Sequence, residues 1–183
     1  MTDFNSLDNI SEGGENPDIK STILKFGGIL GLISIIVLML SGILSDPANP
    51  NQMASGAIGC GSFILSIAIY VMAIKSIRDS EFNAGKISLG SGFKIAFFTG
   101  LIGSVINALF GYLYNTVINP EQLAFARDMM DEAAVDADEA TAGFMNFFSS
   151  FVTAEGQLIS GLVGGVIFSA IIAIIVAAIM KRD

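Results

Sequence analysis

The sequence predicts an all-α integral membrane protein with four transmembrane helices and an extracytoplasmic helical loop between the third and fourth. Three observations lead there. Four apolar runs are each about twenty residues long, the length a helix rising about 1.5 Å per residue needs to cross a hydrocarbon layer about 30 Å thick. The 183 residues are 52% hydrophobic and 14% charged, with a mean hydropathy of +0.69, more apolar surface than a water-soluble chain of this size can bury. The basic residues also collect on one side of the four runs. Alternating ten-residue strands, the pattern of a membrane barrel, are absent.

The runs fall at about 22–44, 54–74, 93–117 and 157–179, within a transmembrane domain covering 22–183. Residues 1–21 carry Asp3, Asp8, Glu12, Glu15 and Asp18 with Gly13, Gly14 and Pro17, and read as a disordered acidic cytoplasmic tail. An acidic leader with no small-residue cleavage site is not a secretory signal, so the first run is expected to stay as an anchor.

Lys20, Lys25, Lys75, Arg78, Lys86, Lys94, Lys181 and Arg182 lie on one side of the runs, and only Arg127 lies on the other. The positive-inside rule makes the basic side cytoplasmic and puts both termini there. Lys25 and Lys94 sit one turn inside the boundary, from which their stems can snorkel to the headgroups. Tyr70, Tyr112 and Tyr114 are placed for the aromatic interface belts.

Helices in lipid associate through close contact at small residues and through polar side chains. In the fourth run Gly161, Gly165, Ser169, Ala173 and Ala177 recur every fourth residue. This stripe is either a homodimer seam or a packing face inside the bundle. Gly27 and Gly31 in the first run, Gly56 with Cys60 and Ala57 with Gly61 in the second, and Gly100, Ser104 and Ala108 in the third offer similar faces. Asn107, flanked by Gly103 and Gly111, is the most polar side chain near the middle of a run; it either forms an interhelical hydrogen bond or lines a path.

The 118–156 segment is too long for a bare connection. Asn119-Pro120-Glu121 opens a helix toward Ala134, since an N-cap residue, a proline at the first position and an early acid all favour initiation. A second helix over Ala142–Val152 places Phe144, Phe147, Phe148 and Phe151 on one face, to lie in the outer interface, to fold over the mouth of the bundle or to pack on the first loop helix. Eight acids against Arg127 leave the loop at about −7. Asp136, Asp138 and Glu139 lack the ligand spacing of a calcium loop and read as a solvated face.

With no histidine and only Cys60 for thiol chemistry, the commonest metal ligand and general base are missing. Ser62, Ser66 and Ser104 lie in the runs without a base to activate them. No catalytic, cofactor-binding or metal-binding residue is therefore assigned, and no cofactor is expected.

Lys25-Phe-Gly-Gly-Ile-Leu-Gly31, Ile74-Lys-Ser-Ile-Arg-Asp79, Gly85-Lys-Ile-Ser-Leu-Gly90, Gly92-Phe-Lys94, Tyr112-Leu-Tyr114, Ile118-Asn-Pro-Glu121, Gly161-Leu-Val-Gly164 and Met180-Lys-Arg182 together resemble a bacterial membrane family, frequent in Bacteroidota, known as domain of unknown function 4199. The resemblance runs from about Ile23 to the C-terminus and implies a multi-pass protein of the bacterial cytoplasmic (inner) membrane. It implies no activity. The alanine-rich acidic stretch after Glu121 departs from the family pattern.

The expected function is that of a non-enzymatic structural or interaction protein acting through its acidic outer loop. The alternative is a small transporter or channel subunit with a path near Asn107. Membrane lipid is the expected surrounding, protein partners or further copies of the chain the expected associates, and nucleic acid is not expected.

Overall fold

The computed structural model of the chain describes residues 18–44, 52–80, 83–135, 137–149 and 151–182. Among the described residues six α-helices follow in order: α1 Ile19–Leu44, α2 Gln52–Arg78, α3 Leu89–Leu113, α4 Glu121–Val135, α5 Glu139–Ser149 and α6 Ala154–Met180. A π-helical turn, Tyr114–Ile118, extends α3. Among the described residues four segments are long and apolar enough to cross a membrane: Ile19–Ile43, Gly56–Arg78, Leu89–Ile118 and Ala154–Met180. The protein is thus a multi-pass, all-α membrane protein. Residues 1–17 of the acidic tail lie outside the described residues, and Ile19–Ser21 already belong to α1.

The helices overrun the apolar runs because polar side chains start them in flanking sequence. Ser88 accepts a hydrogen bond from the Ser91 N–H at 3.2 Å and opens α3 four residues before the expected start. Thr153 does the same for α6, accepting from the Gly156 N–H at 3.0 Å. Asp138 caps α5, accepting from the Thr141 N–H at 3.0 Å and its hydroxyl at 2.7 Å. One of the acids weighed as a cation ligand is therefore spent on starting a helix three residues ahead of the expected Ala142; Asp136 lies outside the described residues. At the far end of α3, the Asn119 N–H reaches the Tyr114 carbonyl at 2.7 Å, a five-residue spacing that widens the last turn. Pro120 follows, has no N–H to donate, and stops the helix there.

α3 is central, packing most extensively against α6 and α1. α1 also meets α2, while α2 touches α3 and α6 more sparingly. The four spanning helices have two ends: a basic end, with the start of α1, the α2–α3 loop and the end of α6, and an acidic end carrying α4 and α5. Burial is concentrated toward the basic end, where Ile69, Ala73, Ile74 and Ile77 of α2 close against Ile95 and Ala96 of α3 and against Ile172, Ala173 and Val176 of α6.

The α2–α3 loop locks that end. The Asn83 side-chain amide donates to the Ile77 carbonyl at 2.8 Å, and the Gly85 N–H donates to the Arg78 carbonyl at 3.0 Å. This reversal takes the backbone through left-handed geometry at Ala84 and Gly85, with φ of 47° and 82°, which explains the glycine at 85. Ile87 and Arg182 exchange two backbone hydrogen bonds, at 3.1 and 3.2 Å, tying the end of α6 to this loop. The Arg78 guanidinium donates to Asp79 at 2.7 Å and holds its carboxyl below the ordinary range, with help from the nearby charges of Lys75 and Arg182.

Candidate functional site

The small-residue stripe of α6 faces α3 of the same chain. Ala177 lies against Gly92, Ser169 against Gly100, Gly165 against Ser104 and Gly161 against Ala108, a single antiparallel register in which the fully buried Ala96 and Ala173 form the intervening pair. A Cβ on Gly165 would collide with the Ser104 side chain. One on Gly100 would collide with the hydroxyls of Tyr70 and Ser169, which both stand over it. α1 uses the opposite flank of α3: Ile102 fits over Gly27, Ile106 over Gly31, and Leu30 of α1 over Gly103. Close backbone approach at these positions is how helices gain van der Waals contact where lipid supplies no hydrophobic driving force.

Several sequence expectations are corrected. Gly111 meets no neighbouring side chain within 4 Å and is not a packing position, because it shares the side of α3 occupied by Asn107, which faces a gap. Asn107 is exposed and makes no hydrogen bond among the described residues. On α2, Gly56 and Gly61 also meet nothing within 4 Å, and Ala57 and Cys60 are exposed. The α2 stripe is unpaired because, among the described residues, the buried side chains of that helix all lie from Ile69 onward, so its other half stands away from its neighbours. Tyr70 and Tyr114 are not interface residues: they are 2% and 5% exposed, Tyr70 inside the bundle and Tyr114 with its hydroxyl against Gly42.

Where α2 diverges, a cleft of about 350 Å³ opens between the four spanning helices. Leu30 and Ser34 of α1, Ser66 and Tyr70 of α2, Gly103, Ser104 and Asn107 of α3, and Gly161, Gly165 and Phe168 of α6 line it. Phe63 of α2 meets Phe168 edge to face, with centroids 6.2 Å apart, and bridges the gap between those helices. Its floor is the Tyr70–Ser169 hydroxyl pair over Gly100. Apart from the Tyr70 phenol, no lining side chain is ionisable. The sequence pointed to Asn107 and the glycines but missed Ser34, Ser66, Tyr70 and Ser160 as parts of one site. Their one signal is a hydroxyl in each apolar run, and hydroxyls are common in such runs.

The second feature is the α4–α5 hairpin. Its two helices pack on each other and only slightly on the rest of the molecule, and α4 has no buried residue. Phe144, Phe147, Phe148 and Phe151 are 63%, 59%, 43% and 46% exposed and touch one another, with centroids 4.5 Å apart for Phe144–Phe148 and 5.2 Å for Phe147–Phe151. They are neither buried against α4 nor folded over the cleft.

Neither a curated protein nor a solved structure matches the chain. The family model described as "Protein of unknown function (DUF4199)" matches residues 25–182, from a lysine in the second turn of α1 to the arginine that closes the Ile87–Arg182 bridge. The chain belongs to that family.

Proposed function

We propose that this chain is a non-enzymatic protein of the bacterial cytoplasmic membrane, with both termini in the cytoplasm, that acts by binding other proteins through its acidic α4–α5 hairpin. The basic asymmetry of the connecting segments supports the orientation. The observation that carries the reading is the exposure of Phe144, Phe148 and Phe151 on a hairpin that contributes little to holding the bundle together. A contiguous exposed apolar patch of this kind, rimmed by acids, is characteristic of an interaction surface.

A photo-crosslinking residue at Phe148, introduced in native membranes, is expected to yield discrete protein adducts that disappear when Phe144 and Phe147 are both changed to Ser. Adducts to lipid alone would overturn this reading. A reporter active only in the cytoplasm, fused at Val135, should be silent; activity there would reverse the orientation.

The transporter or channel alternative draws support from the cleft beside Asn107, but beyond the Tyr70–Ser169 floor the bundle is closed by Ile74, Ile95, Ala96 and Ala173. A continuous path would require that packing to open.

A further inference from the structure

We propose that the cleft is a closed-ended binding site for an uncharged hydrogen-bond donor, a hydroxyl- or amide-bearing molecule that enters from the acidic end or from the adjoining lipid. The hydroxyls that line it carry the argument. Ser34 donates to the Leu30 carbonyl at 2.9 Å, Ser66 to Ser62 at 2.8 Å, Ser104 to Leu101 at 2.9 Å and Ser160 to Gln157 at 3.2 Å. Each proton is committed to the residue's own helix, so what these side chains present to the cleft is oxygen lone pairs. The Asn107 amide makes no hydrogen bond among the described residues and adds one more acceptor together with two donors.

An acceptor-rich wall selects a donor. A cation would satisfy it chemically, but no carboxylate lines the cleft to offset the cost of dehydrating a charge at membrane depth. The neutral choice follows. At about 350 Å³ the space falls within the range of small-molecule pockets. Gly103, Gly161, Gly165 and Leu30 provide the apolar wall beside the polar one, as a ligand with a hydrocarbon part requires. The donor group has two sources: a polyol in water or the free hydroxyl of a diacylglycerol in the leaflet.

The test uses the full chain in lipid nanodiscs, with Cys60→Ala to remove the native thiol and Ser104→Cys to place one in the cleft. A matched control carries Leu109→Cys on the lipid-exposed side of α3. Maleimide reacts with thiolate, which needs water, so a polar, wetted cleft should label Ser104→Cys about tenfold or more faster than Leu109→Cys. Dioleoylglycerol in the nanodisc or glycerol in the buffer should then slow that labelling about threefold or more, as expected of a ligand that occupies the site. Slowing by dioleoylglycerol alone assigns the leaflet as source, and by glycerol alone the aqueous phase. Asn107→Leu should abolish the slowing, with an unchanged size-exclusion profile showing that the bundle is intact. Equal labelling of the two thiols, protection by neither compound, or protection that survives Asn107→Leu would each overturn the proposal.

Discussion

The two halves of the four-helix bundle are built from the same kinds of residue and behave differently. Toward the basic end, small residues on α3 and α6 face one another and α2 closes the third side with isoleucines. Toward the acidic end, α2 carries an equally small-residue face, yet its glycines meet nothing. A glycine stripe is therefore not itself an attraction. It permits close approach, and the gain comes from the opposing surface that fills it. At the basic end the α2–α3 loop and the Ile87–Arg182 pairing hold the helix ends together. At the acidic end the described residues include no equivalent tie on α2.

The widest separation should come from substituting a glycine that a facing side chain fills and one that nothing fills. Gly165→Val forces a branched side chain into Ser104 and is expected to cost about 1–3 kcal/mol, as overpacking generally does. Gly61→Val, in the open half of α2, should change stability by less than about 0.5 kcal/mol. Steric-trap or thermal unfolding in detergent would compare them; equal losses would show that the acidic half of α2 is packed after all.

Tyr70→Phe probes the boundary between the halves. It removes one hydroxyl of the Tyr70–Ser169 pair at the cleft floor and should destabilise by about 1 kcal/mol, the usual scale for a polar contact between membrane helices. No loss would mean that the floor is held by packing alone.

Within the closed half, Thr99 is 0% exposed and its hydroxyl oxygen has no hydrogen-bond partner among the described residues. The isosteric Thr99→Val should stabilise by up to about 1 kcal/mol, because an unsatisfied buried hydroxyl is removed without leaving a cavity. A net loss would reveal a partner for that hydroxyl.

The smallest effect concerns the tie at the basic end. Asp79 has its folded-state carboxyl lowered by the Arg78 hydrogen bond, so its contribution is present above the ordinary carboxylate value of 3.8 and is lost as pH falls through the lowered folded value. Because the pair is at the surface, the effect should be slight. Wild type and Asp79→Asn should differ modestly at neutral pH and converge in acid; a difference that grows in acid would contradict the assigned direction.

The sequence by itself determined the number of spanning helices, the basic and acidic ends, the spacing of the stripe on α6 and the shared face of Phe144, Phe147 and Phe148 on α5. All of these are properties of consecutive residues: length against membrane thickness, charge counted along the chain, and a helical repeat of 3.6. Helix ends were less legible, since Ser88, Asp138 and Thr153 cap them through single side-chain contacts in polar sequence. Only the tertiary structure decided that the α6 stripe faces α3, that the α2 stripe and Gly111 face nothing, that Tyr70 is buried against Ser169, and that hydroxyls from four separate runs line one cleft. These are choices of partner between residues far apart in the chain. Periodicity shows which residues share a face, but the face it meets depends on how all four helices fill space together.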